Sequence, residues 1–126
     1  MDLEKWVKGN CLLSLFICHT TASLIIQENS DNDVLMDLKT FFQRLVPKAN
    51  DPSMDYLRHR LEGPDDMPCH IKAALLPSQI SIPVINNFLG LGKWQGVFVF
   101  EHRATRRVRQ VIAQILPTTQ IVGSKP

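Results

Sequence analysis

Four histidines, a crowd of carboxylates and a run of arginines are the side chains with the means to do chemistry in this sequence. His19 ends an apolar run, His59 lies in a long polar stretch, and His70 opens another apolar segment. An imidazole in such a setting can serve as acid, base or metal ligand near neutral pH, or can be a hydrogen-bonded structural group. Glu28, Asp31, Asp33 and Asp37 gather around a strand-to-helix junction, where they could bind a metal or an ammonium group or work as acids and bases beside a histidine. For Asp31 and Asp33, helix capping is the simpler reading. Glu28 follows an apolar strand directly, and a partly buried carboxylate needs a partner. Arg103, Arg106, Arg107 and Arg109 could hold phosphate or carboxylate through paired guanidinium bonds, or form a solvated basic edge. Trp94-Gln95-Gly96 offers either a ring and an amide lining a pocket or a core tryptophan.

What is missing argues against other chemistries, although ligands distant in sequence can still converge in space. The spacing of His59 and His70 matches no standard zinc motif, and HExxH, GxGxxG, GxxxxGK[ST] and GxSxG are absent. The three cysteines, Cys11, Cys18 and Cys69, are odd in number and form no CxxC, so they read as reduced, buried thiols. Only Cys69, beside His70, is a weak candidate nucleophile.

The elements that must position these residues come from the hydrophobic pattern. The 126 residues suit one domain, and 44% hydrophobic with 21% charged residues is a globular composition. A net charge of +2 is too small for general nucleic-acid binding, and no apolar stretch approaches the roughly 20 residues of a membrane span. A cytoplasmic location is therefore expected. Residues 11–18 (CLLSLFIC) are apolar at odd and even positions, as in a central strand covered on both faces. Residues 22–26 predict a second strand ending at Gln27, Glu28 and Asn29. From Val34 the apolar residues Leu35, Leu38, Phe41, Phe42 and Leu45 recur at helical spacing, stopped by Pro47. Residues 48–68 predict a loop with a helical turn over 56–60, and residues 70–76 a short helix. Strands are predicted at 79–84 and 97–100, with a turn at Asn86-Asn87 between them. The last apolar segment, from Val108 to Leu116, fits a helix slightly better by pattern, while its Val and Ile content favours a strand.

Three segments in order resemble the YjbQ family of small bacterial and archaeal proteins. They are CHTTASLIIQENSDNDVLMDL (18–38), YLRHR followed by GPDDMPCHIKAALL (63–76), and LGLGKWQGVFVFEHR (89–103). The resemblance implies an α+β fold, a curved mixed β-sheet or sandwich with few helices, a single domain over 1–126, and a homotrimer with pockets near subunit boundaries. It implies that 107–116 is a strand. It further implies a secondary thiamine-phosphate synthase activity, in which a pyrimidine methyl diphosphate and a thiazole phosphate are joined with loss of pyrophosphate. On that reading His19, Glu28 and His70 are catalytic. Thr20, Asn29, Asp37, His59, Trp94, Gln95, Glu101, Arg106, Arg107 and Arg109 bind a phosphate-bearing small molecule, and His19, Glu28, His59 and His70 are candidate ligands for Mg²⁺ or another divalent metal. No nucleic-acid or membrane partner is implied. The alternatives are a metal- or phosphate-binding trimer without turnover, or an inactive relative. The sequence departs from the family in having only ten residues before Cys11, which implies a shortened first strand, and in Lys93 and Pro77 close to the site.

Overall fold

The computed structural model describes residues 2–118. Its strands are β1 (Cys11–Ile17), β2 (Ala22–Glu28), β3 (Gln79–Ile85), β4 (Phe88–Leu89), β5 (Gln95–Glu101) and β6 (Val111–Pro117), and its helices are α1 (Asn32–Leu45) and α2 (Asp66–Leu75). The strands form a four-stranded sheet in the order β4-β3-β1-β6 and a two-stranded ribbon, β2-β5. This is the expected α+β class, with one correction: among the described residues every strand pair is antiparallel, so the sheets there are not mixed. Parallel neighbours need a helical crossover within one sheet, whereas here both helices lie on the path from the ribbon (β2) to the other sheet (β3).

β1 is the central strand that its apolar run predicts. Cys11, Leu13, Leu15 and Ile17 point into a core shared with Ala22 and Leu24 of the ribbon and Ile82 and Val84 of β3. Each fully buried Leu or Ile in such a cluster contributes roughly 1.5–3 kcal/mol. The second face is not covered as expected: Leu12 and Ser14 are half-buried and Phe16 is exposed, because no further layer of the described residues lies against it. β6 is strand, as the family resemblance implies and against the slight helical preference of its pattern, but it begins at Val111 rather than at residue 107. Pairing with β1 starts at Ile17↔Val111, and Arg109, just before it, is drawn aside to Glu101. Ile112, Ile115 and Leu116 of β6 are left exposed.

The two sheets are tied where the chain leaves β1, through Ile17 N donating to Ser78 O and Leu24 N to Pro77 O, both at 2.9 Å. The β3–β4 hairpin turns on Asn86 and Asn87, both at positive φ (50° and 75°), the left-handed conformation that two-residue hairpin turns require and asparagine tolerates. α1 starts as predicted, with the Asp31 carboxylate accepting from Asp33 N at 2.9 Å. Its stripe of Val34, Leu35, Leu38 and Phe42 lies half-buried against the ribbon, Phe42 meeting Phe100 edge-on at 5.9 Å.

The connection from α1 to α2 differs from expectation in two places. The helical turn falls at Pro52–Met54 rather than at 56–60, and α2 opens at Asp66, one turn before His70. Pro68 lies in that first turn, where its missing N–H leaves no intrahelical bond unmade. The long connection is held by one side chain: Arg60 donates from Nε to Leu57 O at 2.8 Å, from Nη1 to Ala49 O at 3.0 Å and from Nη2 to Met54 O at 2.9 Å. His59 is thereby fixed next to the start of α2. Among the described residues no helix is long and apolar enough to cross a membrane.

Candidate functional site

The start of α2 collects a dense set of polar contacts. Asp66 is 2% exposed, and its Oδ2 accepts from His59 Nε2 at 2.6 Å and from His70 Nε2 at 3.1 Å. Its other oxygen, Oδ1, accepts from Arg103 Nη1. Glu62 Oε2 lies 3.8 Å from His59 Nε2, and one donor atom each from His59, Glu62, Asp66 and His70 lie within 4.8 Å of one another. His70 reaches Asp66 because residues four apart share a helix face.

Burial alone would push the Asp66 carboxyl up. The hydrogen bond from His59 and the charges of His70 and Arg103 outweigh that and hold it down at about 2, so it is an anion. Toward an ionised oxygen both histidines must present Nε2–H. A cation in the same place would take the two nitrogen lone pairs instead, with the ring protons moved to Nδ1. The cluster therefore has the donors and the charge for a divalent metal.

A cavity of about 480 Å³ adjoins this cluster, lined by His70, Ala73 and Ala74 on one side and by His19, Thr20 and Phe16 on the other. His19 Nε2 accepts from Gln110 N at 2.7 Å. A nitrogen that accepts carries no proton, so His19 has its N–H at Nδ1. Close by, Arg109 clamps Glu101 with Nε to Oε1 at 2.8 Å and Nη2 to Oε2 at 2.5 Å, and Nη2 also reaches Thr21 Oγ1 at 2.9 Å. Burial works against the charge on Glu101, but the bond from Arg109 prevails and lowers its pKa.

His19, Thr20, His59, His70, Glu101 and Arg109 thus lie at one end of the β2-β5 ribbon, marked by the pair Ala22↔Glu101. The other end, marked by Glu28↔Gln95, holds Glu28, Asn29, Trp94 and Gln95. Six residues at about 3.3 Å each separate the ends by about 20 Å, so Glu28 does not meet His19 or His70 within one chain. Glu28 Oε2 accepts from Asp31 N at 3.3 Å, a contact of helix-capping type. Asn29 Nδ2 donates to Gln95 O at 3.2 Å, Gln95 Oε1 accepts from Gly92 N at 2.8 Å, and Lys93 Nζ sits 4.9 Å above the exposed Trp94 ring. Asp37 is exposed on α1. Arg106 and Arg107 are exposed and make no side-chain hydrogen bond or ion pair among the described residues.

The cysteines depart from expectation at one position. Cys11 and Cys69 are buried, but Cys18, past the end of β1, is exposed. Burial raises the Cys69 thiol to about 11, and its Sγ donates to His102 O at 2.8 Å, which removes it as a nucleophile.

A family model described as UPF0047 protein YjbQ-like matches residues 2–118. The chain belongs to the YjbQ family. The UPF0047 protein sll1880 of Synechocystis sp. is 52% identical over 104 residues, covering 82% of this chain and 68% of that protein. YjbQ of Escherichia coli O157:H7 is 40% identical over 104 residues, covering 82% of this chain and 72% of its own length. Among solved structures, the conserved hypothetical protein TT1486 from Thermus thermophilus superposes with a TM-score of 0.77 at 31% identity, over 91% of this chain and 86% of that one. A YjbQ/UPF0047 protein from Clostridium acetobutylicum gives 0.74 at 31% identity, over 92% and 89%.

Sequence reasoning missed the residue at the centre of this YjbQ site. Asp66 stands in the quoted GPDDMPCH segment, but two flanking prolines placed it in a loop. A helix starting one turn earlier sets Asp66 beneath His70, whereas Glu62 lies in the turn before the helix and has no such signal. In the sequence Arg103 is one of several arginines with nothing to set it apart, and the structural role of Arg60 has no local sequence signal.

Proposed function

We propose that this chain is a YjbQ-type enzyme that holds a divalent cation through His59, Asp66 and His70, with Glu62 as a further donor, beside the cavity lined by His19 and Thr20. The observation that carries this reading is the meeting of two imidazole Nε2 atoms, from separate segments, at one oxygen of a buried aspartate. Two imidazoles with carboxylates suit zinc, manganese or iron better than Mg²⁺, which prefers oxygen ligands and retains its waters. When bound, such a cation supplies Lewis-acid stabilisation of negative charge on a phosphate. The chain supplies the rest. Arg103 fixes Asp66, Arg60 fixes the segment carrying His59, and neutral His19 has an Nδ1–H to donate to a phosphate oxygen.

The substrate class is a small organic diphosphate, and the reaction is the one implied by the family resemblance. The thiazole phosphate nitrogen bonds to the pyrimidine methylene carbon, the carbon–oxygen bond to the diphosphate breaks, and pyrophosphate leaves with the bonding pair. Glu28, Asn29, Trp94 and Gln95 join such a site only from a neighbouring subunit. A homotrimer is supported by the exposed apolar residues of β6 and by the uncovered face of β1.

A second reading is a metal- and phosphate-binding trimer without turnover. It is favoured by the engagement of His19 Nε2 with Gln110 and by the distance of Glu28, which leave the cavity without a free general base. The deciding experiment is complementation of a thiamine-phosphate synthase-deficient strain, with metal content and sedimentation measured on the purified protein. Growth with wild type but not with His70→Ala supports the enzyme. Bound metal with no growth at high soluble expression leaves the second reading, and a metal-free protein after exposure to zinc and manganese rejects both.

A further inference from the structure

A second cavity, of about 680 Å³, belongs to the opposite side of α2 from the cluster. Pro68, Cys69 and Lys72 line it, whereas His70, Ala73 and Ala74 line the cavity of His19. On a helix these two sets fall on opposing faces. The other walls come from the end of α1 and the following loop, with Lys39, Gln43 and Lys48, and from the segment after β5, with His102, Arg103 and Ala104.

Charge is unevenly satisfied around this space. Both carboxylates of the lining are already occupied. Asp51 accepts from Ser53 N at 2.9 Å and Ser53 Oγ at 2.7 Å, and Asp65 accepts from Ala104 N at 3.1 Å and lies 3.5 Å from Arg103 Nε. Lys39, Lys48 and Lys72 make no hydrogen bond or ion pair among the described residues. Lys72 is the telling one, because the residue is only 9% exposed and its ammonium, which makes no hydrogen bond or ion pair, lies at the wall of this space. Beside it, His102 is 7% exposed, with Nε2 on Ser23 Oγ at 2.9 Å and Nδ1 unpartnered, and Arg103 Nε likewise lacks a hydrogen bond. Three ammonium groups without hydrogen-bond or ion-pair partners around one space are what an anion would complete.

We infer that this cavity is a second ligand site, separate from the histidine cluster, that takes a phosphate-bearing small molecule with its anionic group against Lys72, Lys39 and Lys48. Several cations facing one space call for a multiply charged anion rather than a single carboxylate. The volume is in the range of small-molecule sites, and Val46, Pro47, Pro68 and Ala104 give the remainder of such a ligand an apolar wall. The inference does not depend on what the histidine cluster catalyses.

The test is titration of chelator-treated protein with inorganic phosphate and with pyrophosphate, followed by backbone amide NMR. Saturable shifts are expected at Lys48, Asp51, Lys72 and Ala104. Lys72→Met, which keeps the buried stem without the charge, is expected to weaken binding about tenfold, and the exposed Lys48→Gln about threefold. His70→Ala, on the other face of α2, is expected to leave these shifts in place. Absence of shifts up to about 10 mM ligand, shifts confined to His19, Ala73 and Ala74, or equal affinity in wild type and both lysine variants would each overturn the inference.

Discussion

The two ends of the β2-β5 ribbon carry similar kinds of residue and use them differently. At the Ala22↔Glu101 end, a buried aspartate is shared by two histidines and an arginine, and a glutamate is clamped by a second arginine. At the Glu28↔Gln95 end, a glutamate, an asparagine, a glutamine and a tryptophan make single bonds to backbone or none, mostly in contact with water. The same chemical groups thus form a network where burial removes competing solvent, and a set of turn and cap contacts where it does not. Polar residue type alone did not distinguish them.

The largest effect should come from the buried carboxylate. Asp66→Ala leaves buried Arg103 with only its longer contact to Asp65 and is expected to cost on the order of 3 kcal/mol in urea unfolding. Equal stability of wild type and variant would show that the network is not buried in solution. Next, His59→Ala and His70→Ala should each lower zinc affinity by at least about 100-fold while folding changes by about 1 kcal/mol, read by competition with a chromophoric chelator. An unchanged affinity in either variant would remove that histidine from the metal centre.

Acid should expose the same end. His102 is held down at about 4, first by burial and then by the charge of Lys72, below its ordinary value of 6.5. The unfolded chain therefore takes up this proton more readily, and stability falls as pH drops from about 6.5 toward 4. Asp66 adds to the loss further down, since its contribution is full above the ordinary carboxylate value and is lost as pH falls toward 2. Denaturation at pH 7 and pH 4.5 should show the decline, and His102→Gln should flatten it. A slope identical in the variant would point to other groups.

The smallest effects belong to the other end. Asp31→Ala removes the α1 cap and should cost about 1 kcal/mol, and Glu28→Ala under about 0.5 kcal/mol, in the same unfolding assay. A Glu28→Ala penalty equal to that of Asp66→Ala would erase the contrast between the ends. If Glu28→Ala left stability intact but abolished complementation, it would sharpen that contrast into a site assembled between subunits.

Much of the fold was legible because its signals are local. The apolar run of β1, the stripe and cap of α1 and the Asn86-Asn87 turn each depend on residues close together in sequence. β6 was ambiguous because a run such as Val111–Pro117 satisfies both periods, and only its pairing with β1 decides. The site was legible in part. His19 and His70 were singled out by their polar settings, but nothing local reveals that α2 begins early enough to put Asp66 under His70.

What the sequence determined by itself was β1, β2, β3, β5 and α1, the absence of nucleotide-binding and hydrolase motifs, and the membership of the YjbQ family that its three motif segments implied. Tertiary structure decided which polar residues act together. Arg103 reaches Asp66 across 37 residues and Gln110 reaches His19 across 91. Such contacts follow from where the sheets and α2 pack, and packing is set by the summed burial of many apolar residues rather than by the spacing of the few polar ones.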